Sequence, residues 1–510
     1  MSLQRKNLRM RMETSKGLLM DSENRGLRSE TFGASAAQIK KLYYGKVIDS
    51  LYPNKGIVEA QEGLFEVKGA IPGQTVSFLV KRRRRSRGEG RLVEILEMSP
   101  DEIESKCPHF RICGGCLYQS LDYEKEVSLK RDQIERLFKN VEKNNPGRFS
   151  GGWYEGIIKS PLDRHYRGKM EYSFGNMEIG GPLTLGMHTP GHFNDVVTVD
   201  GCEIADSDFN IILKKCLEFF KERAVSFRRK ATGEGVLRHL VLRKGHRTGE
   251  ILACLVTTSE AREIGLYEGQ PMMDEFLKDL VSLPLSGEIR GILHEINDSP
   301  ADTVPGTNYK VLYGRDYFYE AMNGLRFKVG MFSFLQTNPL CAELLYDKAV
   351  SYAQELFEGD ASGIILDLYS GTGTISQIIA SRLRDRKVLG VELDGEAVNC
   401  ARENAIANGI SNAEFIAGDV FKTLESLEER AGLIILDPPR DGASAKALNK
   451  ILSFEVPGFV YVSCKPTSLA RDMGQIFEAG YQLSKLCAVD MFPGTANVET
   501  VALFRRGTVQ

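Results

Sequence analysis

Ile364-Ile365-Leu366-Asp367-Leu368-Tyr369-Ser370-Gly371-Thr372-Gly373-Thr374 is the stretch on which the fold turns. Its first part is an apolar run bounded by turn residues, the mark of a buried strand. Its second part is rich in glycine and leads into Ile375, Ile378 and Ile379, spaced as one face of a helix. The same grammar then repeats. Val388 to Val391 reads as a second strand, Ala397 to Ala407 as the next helix, Leu433 to Leu436 and Phe459 to Val462 as later strands, and Ala488 to Val501 as a closing hairpin. Such alternation predicts a mostly parallel, doubly wound α/β sheet over residues 331–510, with ligands at the carboxyl ends of its strands.

The loop after the first strand lets a ligand approach the backbone where strand feeds helix. It is not the dinucleotide fingerprint, because the third glycine is missing, and no phosphate-loop lysine follows. Glu392, at the end of the second strand, is placed to accept both hydroxyls of a ribose. Gly418-Asp419 follows the next strand, where an adenine would lie. These features suit S-adenosylmethionine better than ATP or NAD.

Two further strand ends carry chemistry. Asp437-Pro438-Pro439-Arg440 is a stiff loop that aims Asp437 and backbone carbonyls into the cleft. Methyltransferases of planar amines use a similar loop with an aromatic residue where Arg440 stands. Val462-Ser463-Cys464-Lys465-Pro466 places a thiol at a strand end, and Lys465 beside it is expected to lower the thiol pKa from about 8.5. A thiolate answers a specific need. Carbon 5 of a pyrimidine is too weak a nucleophile to take a methyl group unaided, but attack at carbon 6 makes it carbanion-like. A base must afterwards remove the carbon-5 proton so that the sulfur can leave. Glu499, flanked by Val498 and Thr500 in the closing hairpin, is the candidate base in a semi-buried setting.

Upstream, five short runs (Gly45 to Val47, Gly56 to Val58, Leu64 to Val67, Val76 to Val80 and Leu92 to Leu96) predict a small β-barrel over residues 38–99. Its last hairpin carries Lys81-Arg82-Arg83-Arg84-Arg85-Ser86-Arg87 and then Gly88-Glu89-Gly90, read as a turn. This is a solvated tip suited to neutralising phosphates. Residues 1–37 read as a basic, flexible arm. Residues 100–330 form a mixed α+β region, with an amphipathic helix near Leu129 to Phe138 and strands at Met170 to Phe174 and Leu240 to Arg243. Arg164-His165-Tyr166-Arg167-Gly168-Lys169 interleaves cations with a ring, as RNA contact requires, although a charged strand edge would look the same. Cys107, Cys113 and Cys116, with Gly114-Gly115 between them and Cys202 far downstream, suggest four thiolates around tetrahedral zinc or an iron–sulfur cluster.

Leu368-Tyr369-Ser370-Gly371-Thr372-Gly373, Asp437-Pro438-Pro439-Arg440, Ser463-Cys464-Lys465-Pro466 and Val498-Glu499-Thr500-Val501, in this order, resemble the uracil-5 RNA methyltransferase family, whose bacterial members act on 23S rRNA and tRNA. The resemblance covers about residues 38–505. It implies a Rossmann-like class I methyltransferase domain at the C-terminus, preceded by an OB-like barrel of the TRAM type and a central RNA-binding domain. It makes Cys464 the nucleophile and Glu499 the base. It assigns S-adenosylmethionine contacts to Gln336, Tyr369, Glu392 and Asp437, with Gly371 in the loop. It also selects Cys202, over Cys216 or Cys254, as fourth ligand of a [4Fe–4S] cluster, with zinc as the alternative. The related 5-methylcytosine enzymes have Pro-Cys where this chain has Asp437-Pro438, which disfavours cytosine. Relatives often carry Asn or Asp in place of Lys465, and His in place of Gly494 and Asn497.

The 510 residues suggest about three or four modules at roughly 150 residues each. Lys and Arg number 66 against 68 Asp and Glu, a net charge of −2, so a globally cationic coat protein is excluded. No run suits a membrane span and the first residues lack a secretory h-region, so a cytoplasmic protein is expected. Its ten cysteines are too sparse for a disulfide scaffold. The expected activity is 5-methyluridine formation in a structured RNA, 23S rRNA before tRNA, by a monomer. Two rival readings are a non-catalytic RNA-binding or ribosome-assembly factor and an amine methyltransferase that ignores Cys464.

Overall fold

A computed structural model describes residues 41–84, 87–357, 363–427 and 429–507. The expected arm over residues 1–37 lies outside the described residues, as do Arg85 and Ser86 of the basic run.

Strands β1 (Leu42–Leu51), β2 (Lys55–Ala60), β3 (Gly63–Lys68), β4 (Thr75–Arg84) and β5 (Arg87–Glu97) close into a barrel in the order β1-β2-β3-β5-β4. Alternate residues point inward, and Val47, Val58, Phe65, Val67, Val76 and Phe78 fill the interior. Gly88-Glu89-Gly90 is strand rather than turn. A side chain at Gly88 would strike the Phe65 ring at 2.5 Å, and one at Gly90 would strike Phe78 at 2.6 Å, so the glycines are there to make room for the aromatic core. Lys81, Arg82, Arg83 and Arg87 are exposed along this hairpin.

Helix α1 (Tyr123–Asn144) is longer than the apolar spacing suggested, because its buried face is partly polar. Asp122 caps it by accepting from Glu124 N–H. Lys130 is 0% exposed and lies 2.6 Å from both Glu126 and Asp490. Strand β6 (Tyr154–Ile158) follows. Then β7 (Lys169–Gly175), β8 (Thr184–Thr189), β9 (His192–Thr198), α2 (Ser207–Glu222), β10 (Leu237–Lys244), β11 (Glu250–Thr257), α3 (Pro271–Val281), β12 (Glu288–Ile296) and β13 (Tyr309–Gly314) build the central region. Its sheet has the order β13-β12-β11-β10-β7-β8-β9 and is backed by α2 and α3. A small hairpin of β14 (Tyr317–Met322) and β15 (Leu325–Gly330) leads to α4 (Pro339–Phe357).

The catalytic-type sheet comprises β16 (Ile364–Leu368), β17 (Val388–Glu392), β18 (Ala413–Ala417), β19 (Ala431–Leu436), β20 (Gly458–Ser463), β21 (Tyr481–Val489) and β22 (Glu499–Arg506). Between them run α5 (Thr374–Arg382), α6 (Gly395–Ala407), α7 (Val420–Glu425), α8 (Ala445–Leu452) and α9 (Pro466–Glu478). The strand order is β18-β17-β16-β19-β20-β22-β21-β6. From β18 to β20 all neighbours are parallel, and only β22 runs against its neighbours β20 and β21. This is the Rossmann-like α/β fold read from the sequence, with one addition. The edge strand β6 comes from the central region and pairs parallel with β21. Apolar clusters cover both faces, and the strand order reverses at β16, the usual place for a ligand cleft. Among the described residues no helix is long and apolar enough to cross a membrane.

Candidate active site

The cleft opens at the carboxyl ends of β16 and β19 and is lined by Leu335, Tyr346, Asp367, Tyr369, Gly371 and Asp437, among others. The chain turns sharply after β16: Tyr369, Gly371 and Gly373 all have positive φ (67°, 55° and 73°). At Gly373 a side chain would also meet the Phe415 ring at 2.5 Å, so glycine is required on two counts. Glu392 is fastened to this turn. One of its carboxylate oxygens accepts the Gly371 N–H at 2.9 Å, and the other accepts those of Leu393 (2.7 Å) and Asp394 (3.1 Å). The Asp419 carboxylate caps α7 by accepting the Lys422 N–H at 3.1 Å.

Asp367 at the floor is fully buried. Ser376 donates to one of its oxygens, while the other has no protein partner. Burial raises its pKa to about 7, and Asp437 is raised to about 7 by burial and by Asp367. Gln336 is nearly buried in the loop before α4, whose backbone carbonyls at Gly330, Met331 and Ser333 are gripped by the buried Arg243. Gln336 follows Phe334 and Leu335, which line the cleft, and Glu392 is bonded to the lining residue Gly371.

Ser463, the last residue of β20, pairs with Thr500 of β22, and the chain bends at Cys464 just beyond this ladder, which leaves the thiol within electrostatic reach of Glu499. Glu499 is 2% exposed, deeper than the semi-buried setting expected. Burial and the Asp437 charge push its pKa from 4.5 up to about 8, against an opposing pull from Arg440. The Cys464 thiol is half-buried, and burial, Glu499 and Asp437 raise it to about 11 while Arg440 lowers it. The expectation that Lys465 activates the thiol is therefore corrected. Lys465 is exposed and turned toward Asp441, 3.8 Å away, and the cation acting on the thiol is Arg440. Ser468 holds the Arg440 loop in place by donating to the Arg440 carbonyl at 2.8 Å. Adjacency in sequence suggested Lys465, but the chain bends into α9 immediately after Cys464 and carries Lys465 away.

Cys107, Cys113, Cys116 and Cys202 lie within electrostatic reach of one another. Cys116 feels Cys202, Cys113 and Cys107, and Cys113 is raised to about 11 by burial and by Cys202 and Cys107. Cys216 and Cys254 lie buried in apolar clusters elsewhere. Among the described residues no group of three His, Cys, Asp or Glu side chains is arranged to grip a metal ion. The donor set is nonetheless four soft sulfurs, which suits zinc or an iron–sulfur cluster.

This loop also abuts the hairpin that carries Glu499. Leu117 and Tyr118 N–H both donate to the Gly494 carbonyl, and Gly494 N–H donates to Glu126 at 2.7 Å. Gly494 has φ +79°, a conformation that strains any residue with a side chain, and a Cβ there would displace the flexible end of Gln119, 2.6 Å away. Asn497 turns with the same hairpin, its N–H donating to Thr495 Oγ1.

One residue near the site carried no signal in the sequence. Tyr52, in the β1–β2 turn of the barrel, sits half-buried against the catalytic apolar cluster, within electrostatic reach of Glu499, Cys464 and Arg440.

Residues 360–492 match a family model described as a methyltransferase domain. An uncharacterised RNA methyltransferase of Clostridium acetobutylicum is 43% identical over 459 residues, covering 90% of this chain and 96% of the relative. One from Caldanaerobacter subterraneus is 41% identical, covering 90% and 98%, and one from Bacteroides thetaiotaomicron is 33% identical, covering 88% and 98%. Among solved structures, the Pyrococcus abyssi tRNA (uracil-54, C5)-methyltransferase in complex with S-adenosyl-L-homocysteine superposes with a TM-score of 0.67. It is 23% identical and is covered completely by 90% of this chain, a likeness of fold. With relatives of this similarity along nearly their whole length, the chain belongs to the RNA methyltransferases.

Proposed function

We propose that the protein methylates carbon 5 of a uridine in a structured RNA, with S-adenosylmethionine as methyl donor. The observation that carries this reading is the closeness of Cys464, just past the end of β20, to Glu499 at the start of β22, with Arg440 acting on both. An amine methyltransferase has no use for that pair, and neither has a binding factor.

Gln336, Tyr369, Gly371, Glu392 and Asp437 would hold the donor. Of these, Tyr369, Gly371 and Asp437 line the cleft, and Glu392 keeps the Gly371 turn in shape. When bound, the donor supplies a methyl group on a sulfonium, an electrophile for the activated carbon. In the free protein both reacting groups hold their protons near neutrality, the thiol at about 11 and Glu499 at about 8. Arg440 biases both toward the charged form. The reaction therefore draws on the ionised fraction of each group: Cys464 attacks carbon 6 as the thiolate, its proton having gone to solvent, and after methyl transfer Glu499, as the carboxylate, accepts the carbon-5 proton. The C5–H electron pair becomes the C5–C6 double bond, and the C6–S bond breaks to release the thiolate. The uridine must leave its stack to reach Cys464, which costs a few kcal/mol.

The barrel, read as a TRAM-type module, and the central region are assigned to RNA holding, the former through Lys81, Arg82, Arg83 and Arg87. Cys107, Cys113, Cys116 and Cys202 are assigned to a [4Fe–4S] cluster that holds the loop packed on Gly494. Anaerobically purified protein should be brown and contain about four iron atoms per chain; colourless protein containing zinc would contradict the cluster.

The substrate is assigned to 23S rRNA. The test is to incubate 23S rRNA and tRNA transcripts with the protein and methyl-labelled S-adenosylmethionine, then digest to nucleosides for mass spectrometry. Labelled 5-methyluridine from the rRNA supports the reading in full. Label on tRNA alone moves the substrate, and label on any other nucleoside overturns the chemistry.

A further inference from the structure

Of the cation-rich segment Arg164 to Lys169, the fold employs the first half and leaves two cations of the second half without counter-charge. Arg164 pairs with Glu203 at 3.3 Å, the His165 ring is bonded to the Ala205 carbonyl, and the fully buried Tyr166 donates its hydroxyl to the Pro493 carbonyl at 2.8 Å. Arg167 and Lys169 are different. Both are half-buried, and among the described residues neither forms an ion pair. Arg167 Nε donates to the Lys169 carbonyl at 3.1 Å, while Lys169 Nζ has no acceptor among the described residues. Strand register adds to the cost. Lys169 of β7 pairs directly with Arg243 of β10, so two like charges face each other on one side of the sheet. Arg243 is buried and gives its guanidinium to the carbonyls of Gly330, Met331 and Ser333, none of which carries a full charge. Burial and Arg243 lower the Lys169 pKa, and Glu171, further along β7, pulls the other way without pairing with it. A half-buried ammonium in this setting costs the free protein stability.

The two cations stand where the cleft meets the catalytic hairpin. Gly168, between them, donates its N–H to the Thr337 carbonyl at 2.7 Å, and Thr337 closely follows Phe334 and Leu335, which line the cleft. The Thr337 hydroxyl is itself buried with no partner among the described residues. On the other side, the Arg167 guanidinium lies 6.0 Å from the centre of the Phe492 ring, in the segment that leads to Glu499. We infer that Arg167 and Lys169 seat a phosphodiester of the RNA backbone beside the target uridine and hold that nucleotide against the cleft. A phosphate supplies the counter-charge that the fold omits. Its oxygens accept from an ammonium and a guanidinium in bonds roughly twice as strong as neutral ones. With its phosphate held, the nucleotide has a fixed point about which the base turns toward Cys464. The donor pocket is built from the turn after β16, whereas these cations belong to the central region, which favours the RNA phosphate over the carboxylate of the donor.

The seat deepens the uracil-5 reading and rests on it for the identity of the target nucleotide. The full chain and its Lys169→Met, Lys169→Arg and Arg167→Gln variants are titrated with 23S rRNA and tRNA transcripts from about 50 to 200 mM KCl, and assayed for methyl transfer. Lys169→Met should bind the preferred transcript about tenfold more weakly, the worth of one charge-assisted hydrogen bond. The slope of log affinity against log salt should become shallower by about one, and Arg167→Gln should show the same change of slope. KM for the RNA should rise in step, while KM for S-adenosylmethionine stays at the wild-type value. Lys169→Arg, which keeps the charge, should recover most of the affinity. Lys169→Met should also melt at the wild-type temperature or above it, because it removes an unpaired charge; a cation that holds the fold would give the opposite. Unchanged affinity and slope in Lys169→Met overturn the seat. A rise in KM for the donor alone assigns the anion to its carboxylate and overturns it as well, as does early melting with loss of all binding. The underlying reading fails separately. A labelled nucleoside other than 5-methyluridine from the wild type removes the uracil-5 chemistry, while the salt slope still reports on the phosphate contact.

Discussion

Replacing Glu499 by Gln should make the protein more stable at alkaline pH while stalling its reaction. Glutamine keeps the shape and hydrogen-bonding capacity of a protonated glutamic acid but cannot ionise. In the fold, burial and the Asp437 charge raise the Glu499 pKa from 4.5 to about 8. An acid raised in this way holds its proton in the native state where the unfolded chain has already released it, so native stability falls as pH climbs between the two values. At about 1.4 kcal/mol per pH unit, the deficit reaches about 4 kcal/mol by pH 8. At pH 5 the wild type and Glu499→Gln should therefore melt within a degree or so of each other. The wild type should then fall behind progressively up to pH 8, by several degrees. On uridine RNA the same variant should stop as a methylated covalent intermediate, visible as a slow band on a denaturing gel. Parallel melting curves from pH 5 to pH 9 would refute the buried, proton-holding Glu499. Release of free methylated RNA at the wild-type rate would refute its part in the chemistry.

Two further outcomes follow from the charges around the site. Arg440 is the cation that lowers both Cys464 and Glu499, so Arg440→Gln should move the rising limb of the pH–rate profile to higher pH. Activity should be several-fold down at pH 7 and largely recovered by pH 9, whereas Lys465→Gln leaves the limb in place. Lys130→Met should destabilise the protein by about 3–5 kcal/mol, because it leaves Glu126 and Asp490 buried without their counter-charge. That loss should shrink in acid, where Glu126, held at about 7 by burial, takes up its proton, and denaturation at pH 5 and pH 8 measures it.

What was legible in the sequence was whatever depends on local pattern. Short apolar runs separated by glycine turns gave β16, β17, β19 and β20, and the pairing of the last with β22 brings the Cys464 and Glu499 motifs close together. The alternation in the barrel was equally plain, except at Gly88 and Gly90, where glycine signalled crowding inside a strand and looked like a turn. What was not legible depends on partners far along the chain. Tyr154–Ile158 is too short to declare its sheet, and its partner β21 lies more than three hundred residues downstream. The expected helix, Leu129 to Phe138, is shorter than α1 because part of the buried face is charged, and only Asp490 explains the burial of Glu126 and Lys130. Lys465 was the nearest cation in sequence, but the start of α9 turns it outward and leaves Arg440 in electrostatic reach of the thiol. Tyr52 had no signal at all, since a tyrosine beside a proline is ordinary turn chemistry.

The central claim is that the sulfur of Cys464 bonds to the nucleobase during the reaction. It is tested most directly by incubating the protein with 5-fluorouridine-substituted 23S rRNA and S-adenosylmethionine, digesting the denatured complex, and sequencing the cross-linked peptide by mass spectrometry. The account predicts one adduct carrying the transferred methyl group, mapped to Cys464 and absent from Cys464→Ala. An adduct on any other residue, or one that survives Cys464→Ala, would contradict it.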